Sequence, residues 1–456
     1  MVPSSPLRLA DALRLQGHEH VALVGAGGKT RTLFTLAREL APALVVTTTH
    51  LAREEAAQAD LHWVWDPHLS AVAARQALDR WSRQGVLLVT GPAHAARWTA
   101  TPALAAVQAW ARARGLPVLI EADGAARRDL KAPASHEPAW PPYADGVLVL
   151  AHAAAVGQPL TAERVHRAER FAALAGLPLA ARLTVDAIAR VLRHPQGPTR
   201  GVPRGAWVRA VLRGEDALTQ ARAGRLARAL LASRGPYTAA AVVHTTPRGQ
   251  VRPVAVEEPR AGAVLAAGAA RRFGGRPKVL LRWQGEPLVR RAARVAWEAG
   301  LRPVVVVVGA SADAVTAAVA DLPVRVVHNP AWRAGLSTSV RAALQAIVDA
   351  APATGAVVFF PADHPHLPLR LPRALVEAHA ATLAPIVAPL LMGQRRGQPV
   401  LFDQRTFTDL ATLQGDVGGR ALWRRYPAHG VLWLDEAVGE DIDTPQDWVR
   451  WQERPR

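Results

Sequence analysis

Short continuous runs of Val, Leu and Ala recur along the chain and alternate with stretches whose apolar residues return every three or four positions. A continuous apolar run suits a strand covered on both faces, and the longer spacing suits a helix with one buried face. The alternation therefore predicts α/β layers with mostly parallel sheets. Strands are expected at 21–24, 44–48, 86–90, 117–121 and 146–150, then at 263–266, 303–308, 324–327, 356–360, 385–389 and 431–434. Leu33, Leu36, Ala37 and Leu40 share one face of a helix in the first half, and Val340, Ala343, Leu344 and Ile347 do so in the second. No internal repeat is visible.

With 456 residues the chain exceeds what one core usually organises, so more than one domain is expected. The stretch TTPRGQVRPVAVEEPR, residues 245–260, is polar and proline-containing and precedes a fresh strand and glycine loop. It predicts a first domain over 1–247, a linker at 248–260 and a second domain over 261–456.

Composition narrows the classes. Half of the residues are hydrophobic, which excludes a mainly disordered chain. No apolar run reaches the roughly 18 residues of a membrane span, and the start lacks the order of a signal peptide, so no membrane and a cytoplasmic location are expected. The absence of cysteine excludes disulfides and thiolate metal sites, leaving histidine, carboxylate or phosphate as metal ligands. The formal charge is +18, yet the arginines are scattered on helical patterns such as Arg290, Arg291 and Arg294, and aromatic residues are few. No nucleic-acid partner is expected; the charge suits small polyanionic substrates.

Against this arginine background only three lysines remain, Lys29, Lys131 and Lys278, and Asn329 is the only asparagine. An ammonium is a compact point charge where a guanidinium is a broad fork, so lysine is expected where a tight phosphate loop rejects the fork.

In the second half a strand ends in Ala266-Ala267-Gly268, followed by Arg272, Gly274, Gly275 and Lys278. Such a loop can wrap an anion with backbone N–H groups, or simply connect strand to helix. Asn329, Gly335, Ser337, Thr338 and Ser339 precede a helix, where hydroxyls and free amides suit ribose, base or phosphate. Asp363 falls just past a strand end, the ligand side of an open α/β sheet. Asp441 and Asp443 lie in GEDIDTP near the end. Two carboxylates with triphosphate oxygens make a Mg²⁺ site, whereas Asp443 alone could cap the helix beginning near Pro445.

The order LAAG, RFG, a lysine, NPAWRAGLSTSVRAAL, PAD, RRGQPVLF, LQGDVGGR and DIDTP resembles the MobA-like nucleotidyltransferases, most closely the molybdenum-cofactor cytidylyltransferases. The resemblance implies a Rossmann-like nucleotidyltransferase domain that transfers CMP from CTP to the terminal phosphate of Mo-molybdopterin, with Mg²⁺, and releases pyrophosphate. It also implies roles. Ala266, Ala267, Gly268, Arg272, Lys278, Asn329, Gly335, Ser337, Thr338 and Ser339 would bind the NTP. Lys278, Asp363 and Arg272 would be catalytic, and Asp363 and Asp443 would hold the metal. Ala267, where guanylyltransferases tend to have glycine, favours CTP. The sequence departs from the family at Ala270 in place of serine, His364 in place of glutamine, and Gln398 in place of histidine or asparagine.

The first half opens with HVALVGAGGKTRTLFTLAREL. Gly25, Gly27, Gly28, Lys29 and Thr30 make a variant phosphate loop, or an ordinary glycine turn before a helix. Downstream, Glu121 and Asp123 end a strand where a carboxylate could reach Mg²⁺, and Lys131, His136 and Glu137 follow in a loop. GAGGKT, VVTTTH, EADG and LKAPASHEP in this order resemble the YqeC-like family of selenium-dependent hydroxylase accessory proteins. That resemblance implies a P-loop-like nucleotide-binding domain serving a molybdenum hydroxylase apo-enzyme. Arg213-Gly214-Glu215-Asp216 stands where a guanine-reading box would be expected, with Asp216 able to meet a base. Two further readings stay open: transfer to another phosphorylated acceptor, and a nucleotide-switched chaperone for cofactor insertion.

Overall fold

The computed structural model describes residues 6–66, 68–69, 71–81, 83–124, 128–232, 235–273 and 276–454. The chain divides into two compact units, Met1–Glu257 and Glu258–Arg456.

The first unit is built on nine strands: β1 (His20–Gly25), β2 (Ala43–Thr47), β3 (Leu61–Val64), β4 (Val86–Thr90), β5 (Val118–Glu121), β6 (Gly146–His152), β7 (Trp207–Arg213), β8 (Tyr237–Thr245) and β9 (Val251–Glu257). They lie in the order β9-β8-β7-β6-β1-β5-β2-β4-β3, parallel throughout except for β9, which runs antiparallel to β8. Alternate residues of β1 serve two cores. Val21 and Leu23 pack with Leu33, Phe34, Leu36 and Ala37 of helix α1 (Lys29–Glu39) on one face. Ala22 and Val24 pack with Val107, Trp110 and Ala111 on the other. Burial on both faces is why the sequence shows runs where a half-exposed sheet would alternate.

The second unit holds β10 (Arg260–Ala266), β11 (Val304–Val308), β12 (Arg325–His328), β13 (Ala356–Pro361), β14 (Ile386–Leu391), β15 (Arg395–Arg396), β16 (Val400–Asp403) and β17 (Ala428–Trp433). The order is β12-β11-β10-β13-β16-β14-β15, with β17 added parallel to β14. β10 to β13 are mutually parallel where they pair, and β16 runs antiparallel between β13 and β14. Helix α2 (Leu288–Glu298) buries Val289, Ala292, Ala293 and Ala296 on one face of the sheet. Helix α3 (Leu336–Ala350) buries Val340, Ala343, Leu344 and Ile347 on the other.

Every strand expected from the apolar runs is present. The segment expected as a linker is not one. Residues 251–257 form β9, which pairs with β8 from Ala240↔Glu257 to Thr245↔Val251 and puts Val251 and Val256 in the core, so the boundary falls at Glu257 and Glu258. Pro253 is tolerated because β9 is an edge strand, where one side needs no donors. β3, β7, β8 and β16 also lie outside the expected runs: β7 is interrupted by Arg209, and β8 is alanine-rich.

Candidate functional site

In each sheet the first strand is flanked by two strands whose connections run in opposite directions, which opens a crevice at their carboxyl ends. In the second unit that crevice lies between β10 and β13. Gly268 follows β10, is exposed, and has open space where a side chain would start. Asp363 follows β13. The last segment of the chain is drawn to the same place: Ile442 N–H donates to Asp363 O (3.2 Å), and the His364 ring donates from Nδ1 to Val438 O (3.1 Å).

Four charged groups meet there. Lys278 Nζ lies 2.7 Å from Asp363 Oδ2 and 2.8 Å from Asp443 Oδ1, while Arg272 reaches Asp443 Oδ2 at 2.6 Å. The Lys278 hydrogen bond holds the Asp443 carboxyl below the usual carboxylate range against partial burial, and Arg272 adds to it. Burial opposes the Lys278 charge, yet the two aspartates raise its pKa above that of an ordinary lysine. One ammonium thus sits between two carboxylates, a pair of hard oxygen donors of the kind that could hold a divalent cation. Asp443 is free for this because Thr444 caps the terminal helix α4 (Pro445–Gln452), accepting from Asp447 N–H at 3.2 Å.

The glycines Gly274 and Gly275 lie outside the described residues. Ala266 and Ala267 are buried, and the Ala267 carbonyl accepts from Ala310 N–H. The hydroxyl residues expected to contact the nucleotide lie in the first turn of α3. Asn329 is buried and donates from Nδ2 to Thr338 Oγ1 (2.8 Å) and Ser339 Oγ (3.0 Å), and Thr338 donates to Gly335 O (2.9 Å). Ser337 is fully buried. The hydrogen bonds of Asn329 and Thr338 hold the turn into α3, while Ser337 Oγ has no partner among the described residues, and Asn329 and Thr338 also line a cleft of about 520 Å³. Gly335, at φ 111°, packs its α-carbon against the backbone of Gly415.

The first unit repeats the theme. Gly25, Gly27 and Gly28 have φ of 94°, 88° and 115°, and a Cβ at Gly25 would come within 2.3 Å of Leu150 O. Only glycine fits such backbone. Thr30 is partly exposed in the first turn of α1. Asp123, two residues past β5, accepts Gly25 N–H at Oδ2 (3.0 Å), with Lys29 Nζ 3.1 Å from Oδ1 and Lys131 Nζ 2.9 Å from Oδ2. The Lys29 contact is an ion pair without hydrogen-bond alignment, so Oδ1 keeps an unused acceptor, as does buried Glu121 Oε2. Burial raises the Glu121 carboxyl to about 7. His136 is exposed. Asp216 caps the helix at Ala217–Leu231, its carboxylate accepting from Thr219 N–H at 2.8 Å.

Residues 262–430 match the family model described as the MobA-like NTP transferase domain, and residues 21–169 match that of the YqeC protein. A nicotine blue oxidoreductase from Paenarthrobacter nicotinovorans is 34% identical over 204 residues, covering 41% of this chain and 94% of that protein. The protein YqeC of Escherichia coli (strain K12) is 33% identical over 199 residues, covering 41% of this chain and 72% of that protein. The chain belongs to the MobA-like NTP transferase family, with a YqeC domain in front. Among solved structures, Rv0371c from Mycobacterium tuberculosis H37Rv is 28% identical with a TM-score of 0.38, covering 43% of this chain and 98% of that one. The MobA-like unit is a nucleotidyltransferase, with nucleotides as substrates.

Beside its ion-pair cluster the MobA-like unit carries a cleft of about 720 Å³ lined by His364, Arg395, Arg396, Gln398, Arg420 and Asp441. It adjoins a pocket of about 680 Å³ that includes Leu265, Val340, Phe359 and Phe402 beside Gln398, Asp416 and Arg424. Trp423 lines both, with Arg396 at 4.8 Å and Arg420 at 5.9 Å from its ring centroid. The sequence reading gave these arginines no role, since nothing in RRGQP or GDVGGR says that the two motifs meet on one tryptophan. Glu258, His379 and Asp403 are also close enough together to hold a metal. Both His379 nitrogens are already engaged, Nε2 with Asp403 at 2.8 Å and Nδ1 with Arg260 at 3.1 Å, and the group lies at the opposite ends of β10 and β13. It ties the start of the sheet together. Among the described residues no helix is long and apolar enough to cross a membrane.

Proposed function

We propose that the MobA-like unit transfers CMP from CTP to the terminal phosphate of Mo-molybdopterin, forming a cytosine dinucleotide and pyrophosphate, and that the YqeC unit binds an NTP as an accessory to molybdenum hydroxylase maturation. The observation that carries this reading is Lys278 held between Asp363 and Asp443 beside the open Gly268. A phosphate oxygen of the acceptor attacks the α-phosphorus, and the bond to the bridging oxygen breaks, with its electron pair leaving on pyrophosphate. Lys278 and Arg272 turn from the aspartates to the triphosphate and stabilise that developing charge. Bound Mg²⁺ at Asp363 and Asp443 would supply further neutralisation between phosphate oxygens. The cleft of Arg395, Arg396 and Arg420 favours a phosphorylated acceptor, and Phe359, Phe402 and Trp423 of the adjoining pocket favour one with a flat ring system. Positioning and electrostatics are enough for such a transfer, which needs no covalent protein intermediate.

The test is to incubate the purified chain with Mo-molybdopterin, Mg²⁺ and each of the four NTPs, and to measure pyrophosphate. Release with CTP is expected. Preference for another nucleotide would move the donor, and turnover only with a different phosphorylated acceptor would move the acceptor.

A further inference from the structure

Asp123 in the YqeC unit receives what a bound phosphate would receive. Its two oxygens collect the N–H of the first loop glycine, the loop lysine Lys29 and a second lysine, Lys131, from outside the loop. Gly25 N–H and Lys131 Nζ share the single oxygen Oδ2. The second ammonium therefore stands at the base of the glycine loop, no farther away than one carboxylate oxygen.

Lys131 is also held by Glu137 Oε2 at 2.9 Å and by the Gly124 carbonyl. Glu137 has partners of its own: Arg167 binds it through two nitrogens at 2.7 and 3.1 Å. Lys131 can leave Glu137 without stranding a buried charge, and Asp123 would keep Gly25 N–H. This bonded set contains three cations, Lys29, Lys131 and Arg167, against two carboxylates, Asp123 and Glu137. A bound anion would compensate that excess of positive charge.

We propose that Lys131 is a second phosphate-binding cation of this site, one that contacts the terminal phosphate of a nucleoside triphosphate and so separates it from the diphosphate. The inference rests on the reading of the glycine loop as a nucleotide site. Lys29 holds the part of the phosphate chain common to both ligands, and Lys131 engages only the longer one. Lysine is needed because its three N–H donors reach Asp123, Glu137 and Gly124 in the free state and can swing together to phosphate, which a planar guanidinium cannot.

The experiment titrates the full chain, in Mg²⁺, with inorganic tripolyphosphate and with pyrophosphate. Amide hydrogen exchange of peptides over residues 20–39 reports the YqeC unit alone. The wild-type chain is expected to bind tripolyphosphate more tightly, and Lys131→Gln to lose about tenfold of that preference, the worth of one charge-assisted hydrogen bond. Lys29→Gln is expected to weaken both ligands. An unchanged ratio in Lys131→Gln overturns the role of Lys131, whereas no protection of the wild-type loop by either ligand overturns the nucleotide reading itself. If Lys131→Gln does not fold, Glu137→Gln answers the same question. With one partner fewer to give up, Lys131 should bind tripolyphosphate more tightly, and unchanged or weaker binding rejects the proposal.

Discussion

Thr444 takes the N-cap of the terminal helix and leaves the carboxylate of Asp443, one residue earlier, to Lys278 and Arg272. The two residues are adjacent in a polar motif, and either could have capped the helix.

Thr444→Ala should therefore cost about 1 kcal/mol of stability and also lower transfer activity, since Asp443 becomes free to fold back onto the helix. Thermal denaturation and pyrophosphate release measured on the same variant check both effects. A stability loss with full activity would show that the cap does not position Asp443.

Lys278→Ala and Asp363→Ala should each reduce transfer by at least about a hundredfold, the usual cost of removing a group aimed at developing charge. Lys29→Ala, in the other unit, should leave transfer in place. Loss of transfer in a folded Lys29→Ala chain would mean that the two sites work as one.

Arg420→Ala should raise KM for the phosphorylated acceptor more than it lowers kcat, because Arg420 lines the cleft and is not in the Lys278 cluster. Steady-state kinetics at saturating NTP separate the two.

Gly27→Ala should destabilise the YqeC unit by about 1–3 kcal/mol. The backbone stands at φ 88°, and the added Cβ would meet His152 Cβ and N at 2.9 Å. Hydrogen exchange over residues 20–39 should rise, with the MobA-like unit unaffected.

Acid should weaken the YqeC unit through His20. Burial is the main cause that lowers its pKa from 6.5 to about 4, with Arg112 adding to it. The unfolded chain takes up the proton first, so stability is full above pH 6.5, falls as pH drops towards 4, and is flat below. The loss is at most about 3 kcal/mol, and His20→Leu should remove this slope from a pH series of urea denaturations.

Much of the fold was legible because both sheets are covered on both faces. Full burial writes strands such as Val304–Val308 as continuous apolar runs, and helix faces such as Leu33, Leu36 and Ala37 as a regular spacing. The edge strand β9 escaped for the converse reason. β9 carries Arg252, Pro253 and Glu257 because one edge meets no partner strand, and that polarity reads as a linker.

The lysines show how the sites divide between the two levels. Residue type alone marked Lys29, Lys131 and Lys278, since an arginine-rich chain keeps an ammonium only where three short donors in a small volume are needed. The sequence also placed Asp123 and Asp363 beyond strand ends, where parallel strands open their crevice. Which oxygen each lysine meets was decided by tertiary structure: Lys278 and Asp443 are brought together by a crossing of the whole second unit, and Lys131 reaches Asp123 from a two-residue strand paired with Val165–His166. Asn329, Thr338 and Ser339, whose types suggested a ligand, were joined to one another by the fold at the turn into α3. Composition and spacing determine which groups can bind phosphate. Only the fold decides which of them are left unspent by the protein's own need to pair every buried polar atom.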